Sequence, residues 1–238
     1  MVGEQEMLQT LAEYGVCLSD EQLERLRGYH RLLNEWNARM DLTNVPEADM
    51  PLRHYADSVI PVGLAPALFR EGSRLIDVGS GAGLPGIPLA LCCPGLQVAL
   101  LESMKKRCDF LTAARNGLGL SNVTVVNLRA ETAGRSPEYR ERFDLAVARA
   151  VAPTNVLLEY LLPLVTPGGR ALCWKGPAAA QELAGGEAAA AQLGGGGIEA
   201  ISYAVDGAER VLLRISKDGH TPERFPRRDG LPVKRPLT

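Results

Sequence analysis

The chain has 238 residues, of which 46% are hydrophobic and 23% charged. Those are ordinary globular proportions for one large domain, or a domain with an appendage, and they allow a real core. With 26 basic and 28 acidic side chains the net charge is −2, so bulk charge points to no partner, and no DNA partner is expected.

The opening "MVGEQEMLQT" is acidic and lacks the apolar centre of a signal peptide. The first seventy residues have helical periodicity. "SDEQ" at 19–22 fits a capping box, Ser19 at the cap and Gln22 three positions on. Leu23, Leu26, His30, Leu33, Trp36 and Met40 then recur at helical spacing. Leu26, Leu33 and Trp36 suit the core of a helical cap better than a base-stacking platform. A further helix is expected over "LRHYADSV", ending before Pro61 and Pro66. His54 and Asp57 lie three apart there and share a face, an arrangement that suits a structural role ahead of a catalytic one. "VIPVGLAPALF" at 59–69 is the longest uncharged apolar stretch and is too short to span a bilayer. The five cysteines (17, 92, 93, 108 and 173) form no metal-ligand spacing. A reduced, cytoplasmic protein with no membrane partner and no metal is expected.

From residue 73 the period changes. "RLIDVG", "QVALLES", "NVTVVNL", "FDLAVARAV" and "RALCWKG" are short, apolar and rich in β-formers. Helix-like segments separate them, which predicts an α/β protein with a parallel sheet covered on both faces. In "PAAAQELAGGEAAAAQLGGGG" the first part suits a helix and Gly194–Gly197 a flexible joint. "GIEAISYAV", "DG" and "ERVLLRISK" predict a hairpin. The proline-rich end, from Asp218, is expected to have no regular structure.

The stretch "DVGSGAG", residues 77–83, places Gly79, Gly81 and Gly83 where a strand turns into a helix. Glycine there permits positive φ and leaves no side chain between backbone and ligand. Gly81, Gly83 and Gly86 also spell G-x-G-x-x-G, the dinucleotide fingerprint. That frame falls late after the strand and encloses Pro85, so the D-x-G-x-G-x-G frame fits better. Asp77 would repel a pyrophosphate but suit an ammonium, and a ligand with an ammonium, a ribose and an adenine is S-adenosylmethionine. Glu102 closes the second strand, where an acid commonly accepts from ribose hydroxyls. Arg149 falls at another strand end, facing a ligand or pairing with Asp77 or Glu131. No catalytic dyad is visible among three histidines (30, 54 and 220).

"DVGSGAGLPGIPLA", "LLESMKKRCDFL", "LRAET", "FDLAVARAVAPTNVLLEYLLPLV" and "CWKG" together resemble the RsmG (GidB) family of bacterial ribosomal RNA methyltransferases. "LLNEWNARMDLTN", "RHYADS" and the tail "TPERFPRRDGLPVKRPL" are similar to the family's other signatures, so the resemblance runs from about residue 29 to the end. Glu102 stands where aspartate is more frequent, and Phe225 where tyrosine is usual. The resemblance implies a class I methyltransferase fold: a Rossmann-like, seven-stranded, mostly parallel sheet with a late antiparallel strand, behind an N-terminal helical cap. The division that follows is a cap at 1–70, a cofactor-binding core at 71–217 and a basic tail at 218–238. It implies S-adenosylmethionine as cofactor and N7 of one guanosine, number 527 of 16S rRNA, as acceptor. Gly79 and Leu84 are then expected to line the cofactor, Ala130 and Glu131 to meet its adenine end, and Arg149 its methionine end or the incoming base. The partner would be 16S rRNA or the small ribosomal subunit.

Eight bases against three acids follow residue 209, which suits a polyanion. Arg224, Arg227, Arg228, Lys234 and Arg235 surround Phe225, a pattern fitting a flexible RNA strand. Lys175, at a strand end, is a further expected RNA contact. A nicotinamide-dependent oxidoreductase and a non-catalytic RNA-binding assembly factor are the competing readings.

Overall fold

A computed structural model describes residues 1–238. Seven strands run β1 Arg74–Val78, β2 Gln97–Leu101, β3 Val123–Val126, β4 Phe143–Arg149, β5 Val165–Lys175, β6 Gly195–Val205 and β7 Ala208–Lys217. They form one sheet in the order β3-β2-β1-β4-β5-β7-β6. The first five are parallel; β7 enters antiparallel between β5 and β6. This is the class I methyltransferase topology. Strand order reverses between β1 and β4, and in open α/β sheets ligands bind at the strand carboxyl ends beside such a switch.

The strands lack polar faces because both sides are covered. In β4, Leu145 and Val147 enter the apolar core on one face, and Ala146 and Ala148 the core on the other. The first face is packed by α1 (Glu4–Glu13), α2 (Asp20–Asn37), α3 (Asp57–Leu64), α4 (Gly86–Cys92) and α5 (Lys105–Gly117), through residues such as Met7, Leu33, Ile60, Leu89 and Phe110. The second is packed by α6 (Ala130–Arg135), α7 (Thr154–Leu161) and α8 (Ala179–Gln192). No helix is long and apolar enough to cross a membrane.

The capping box at Ser19 and Gln22 is formed in both directions. Leu26, Tyr29, His30 and Leu33 are the buried face of α2, and Met40 lies beyond its end. Trp36 sits edge-on to Phe110, inside the cap–sheet packing.

Three expectations are corrected. Pro61 does not end its helix. A wide π turn, Pro51–Ala56, leads into α3, which continues through Pro61 to Leu64. Proline at 61 removes the bond to the carbonyl four residues back; that carbonyl, of Asp57, instead accepts from Trp174 Nε1 at 2.8 Å. Second, Gly194–Gly197 is no joint, because Gly195 already opens β6 opposite Lys217.

Third, the C-terminal segment is folded onto the body and carries a short helix, α9 (Leu231–Lys234). Lys217 is fully buried, and its Nζ donates to Leu193 O at 3.0 Å and to Thr221 Oγ1. Burial pushes its pKa down to about 8 despite Glu141 nearby. Arg140 binds the carbonyls of Thr221 and Phe225 at 2.6 and 2.7 Å. Phe225 and Leu237 are part of the second core.

Candidate active site at the strand switch

The loop after β1 holds Gly79, Gly81 and Gly83 at φ of 72°, 55° and 84°, which any side chain would strain. The three glycines nevertheless serve different ends. A Cβ on Gly79 would clash with Val151 at 2.9 Å, and both residues line one cavity. One on Gly83 would collide with Ile87, beneath the loop. Gly86, from the rejected dinucleotide frame, has a packing role: a Cβ there would meet Leu100 and Asp77. Its absence lets Gly86 N–H reach Asp77 Oδ2 at 2.9 Å.

Asp77 is fully buried. Burial raises its pKa to about 7, against the opposing pull of the Gly86 N–H and the Arg149 charge. Its Oδ1 has no hydrogen-bond partner. An orphaned carboxylate oxygen in a dry site costs free energy unless a ligand donor or cation satisfies it. Glu102, also buried, accepts from Gly81 N–H at 3.0 Å and Met104 N–H at 2.8 Å. It fastens the glycine loop to the end of β2. From the cap, Tyr29 Oη donates to Ala82 O in the same loop. Tyr29→Phe leaves that carbonyl unpaired, and a loss of about 1–3 kcal/mol is expected in urea unfolding.

Two cavities open at the strand ends, on either side of the segment following β4. The first, about 220 Å³, is lined by Gly79, Leu101, Ser103, Leu128, Ala130, Glu131, Val151 and Tyr160, among others. Thus the structure brings Gly79, Ala130 and Glu131 together in one cavity. Asp77, Gly81, Gly83, Leu84 and Glu102 are not in its lining; Leu84 belongs to the core, and the others shape the loop from below or beside it.

The second cavity, about 440 Å³, is lined by Arg53, His54, Asp57, Arg149, Trp174, Lys175 and Arg210, with others. Ala150, between the cavities, is held at φ 57°, a strained conformation for a residue with a Cβ. Arg149 pairs with neither Asp77 nor Glu131. Its Nη1 donates to Asp57 Oδ2 at 3.0 Å and Arg53 O at 3.1 Å, and its Nη2 lies 3.2 Å from His54 Nδ1. Asp57 Oδ1 accepts from Tyr203 Oη at 2.7 Å, and His54 Nε2 meets Thr43 Oγ1 at 2.7 Å. Burial and the Arg149 charge lower the His54 pKa to about 3, so its ring stays neutral with both nitrogens engaged.

Two expected RNA contacts are committed internally. Lys175 Nζ bonds Glu182 at 2.8 Å and Ala152 O at 2.9 Å. Arg227 grips Glu159, which is fully buried. Phe225 is buried too, so it offers no stacking face. Arg224, Arg228, Lys234 and Arg235 are exposed. Sequence reasoning missed Arg53, Thr43, Tyr203 and Arg210, which sit outside any glycine or strand-end motif. The His54–Asp57 spacing and the signatures "LLNEWNARMDLTN" and "RHYADS", which contain Thr43 and Arg53, were the signals that led toward them.

Residues 22–204 match the family described as rRNA small subunit methyltransferase G. Proteins named ribosomal RNA small subunit methyltransferase G are similar over nearly the whole chain. The one from Carboxydothermus hydrogenoformans is 41% identical, covering 95% of this chain and 96% of its own. That from Leuconostoc citreum is 40% identical, covering 97% of each. Among solved structures, a mutant of MtNAS (TM-score 0.55, 17% identity, 80% of this chain and 71% of that one) shares the fold. So does the YcgJ protein of Bacillus subtilis (TM-score 0.52, 15% identity, 70% and 100%). On the family match and these full-length relatives, the chain belongs to the rRNA small subunit methyltransferase G family.

Proposed function

We propose that this protein transfers the methyl group of S-adenosylmethionine to N7 of a guanosine in 16S rRNA. The observation that carries the reading is the pair of cavities meeting at Arg149–Ala152: one apolar and bounded by bare Gly79, the other lined by basic side chains. The orphaned Asp77 Oδ1 and the side-chain-free Gly79 in the cavity lining both fit the cofactor. Asp77 would take its ammonium, Gly79 its close backbone approach, and Leu101, Leu128 and Ala130 the apolar adenosyl side. When bound, the cofactor supplies an electrophilic sulfonium methyl.

Guanine N7 has an in-plane lone pair and no proton, so its attack requires no general base. The site agrees: His54 is neutral and fully engaged. Catalysis then rests on positioning and on charge. Arg149, fixed by three acceptors, offers a rigid guanidinium suited to guanine O6. Arg210 suits a flanking phosphate, whereas Arg53 beside it is paired with Asp206 and Asp49.

The acceptor is 16S rRNA or the small ribosomal subunit, which places the work in the cytoplasm. Arg224, Arg228, Lys234 and Arg235, exposed around the tail, serve the RNA backbone. Thermal unfolding with S-adenosylhomocysteine against NAD separates this reading from an oxidoreductase. Only the former is expected to raise the midpoint; stabilisation by NAD alone would reverse the assignment.

A further inference from the structure

The first cavity has a wall that no glycine motif announces. Val233, from the C-terminal α9, lines it together with Gly79, Leu128, Ala130 and Tyr160, and is 61% exposed. An apolar side chain held over an apolar cavity, on a segment otherwise well anchored, suits a contact completed by a ligand. The anchors are specific. Gly230 N–H donates to Glu131 Oε1 at 2.8 Å, and Glu131 is only 2% exposed. Asp229 lies 3.4 Å from Arg129 Nε and 3.5 Å from Thr132 Oγ1. On either side, Arg227 is fastened to buried Glu159, and Leu237 O accepts from Asn155 Nδ2 at 3.0 Å. The acid of "RAE" therefore holds the tail's backbone at the mouth of the cavity.

We propose that residues 229–233 complete the cofactor pocket, Val233 packing against the adenine of the adenosyl group and Glu131 acting as a positioning residue through Gly230. This rests on the methyltransferase reading above. It gives the tail two faces: Val233 turned to the cofactor, and the exposed bases free for RNA. It also ties cofactor affinity to the seating of the last residues of the chain.

The test uses the full-length protein and S-adenosylhomocysteine, with affinity measured by calorimetry. Because Val233 is largely exposed, Val233→Glu is expected to leave the unfolding midpoint of the free protein unchanged. Its affinity for S-adenosylhomocysteine is expected to fall about tenfold or more, through loss of an apolar contact and burial of a charge. The uncharged variant Val233→Ser, which leaves the charge around Lys234 and Arg235 unaltered, should keep the wild-type salt slope of 16S rRNA binding. Glu131→Ala should weaken cofactor binding similarly, add little to Val233→Glu, and be largely rescued by Glu131→Gln, which keeps the acceptor. Wild-type cofactor affinity in Val233→Glu would overturn the proposal, as would full additivity of the two changes. Loss of RNA affinity alone would make α9 an RNA element instead. A wild-type protein that fails to bind S-adenosylhomocysteine would sink the underlying reading as well, so the two failures are distinguishable.

Discussion

Arg149→Ala is expected to lower kcat/KM for rRNA methylation by about 10²–10³-fold, the scale seen when a fixed donor is removed from a reacting centre. It should also cost stability. Asp57 is 5% exposed, and the change strips its carboxylate of the guanidinium while leaving only Tyr203. Breaking one side of a buried pair typically costs about 3–5 kcal/mol. Arg149→Lys is expected to recover little activity, because a single ammonium does not reproduce the planar fork reaching Asp57, Arg53 O and His54 together. Single-turnover methylation, run beside denaturant unfolding, separates the two effects. Wild-type turnover in a folded Arg149→Ala protein would remove Arg149 from the mechanism.

Asp77→Asn is expected to weaken S-adenosylhomocysteine binding about 10- to 150-fold, the worth of a hydrogen bond to a charged group. Its effect on the free protein runs differently. The folded pKa of about 7 lies above the ordinary value of 3.8 because burial disfavours the carboxylate. Between those values the native state holds a proton that the unfolded chain has released, so stability contributed by protonated Asp77 is present in acid and lost as pH rises through 4 to 7. The asparagine variant should therefore lose that fall in unfolding midpoint. In the wild type, an ammonium at Oδ1 lowers the pKa, so cofactor binding should release protons near pH 6–7. Calorimetry in buffers of differing ionisation enthalpy reads the release directly. Buffer-independent heats, or undiminished affinity in Asp77→Asn, would place the ammonium elsewhere.

The sheet was legible in the sequence because its strands are short, apolar and separated by helical periods, and the glycine loop because alternating glycines after an acid have few other uses. Gly79, Ala130 and Glu131, which the resemblance singled out, line one cavity. What stayed hidden is long-range pairing. Arg149 finds Asp57 and His54 more than ninety residues away, and no local pattern encodes that choice. Pro61 looked like a helix end because its missing donor is a local fact, whereas the Trp174 indole that satisfies Asp57 O comes from β5. The tail misled for the same reason. Its prolines and bases suggest a loose strand, yet the partners that fold it down, buried Glu159 and Glu131 and half-buried Glu141, are scattered through the core sequence.

Methyl transfer itself bears most directly on these conclusions. Purified protein should be incubated with labelled S-adenosylmethionine and with 16S rRNA or small subunits from cells lacking the modification, and the product mapped base by base. One labelled guanine, methylated at N7, is the expected result. No transfer to either substrate by a protein that binds S-adenosylhomocysteine, or label on another atom or another RNA, would contradict it.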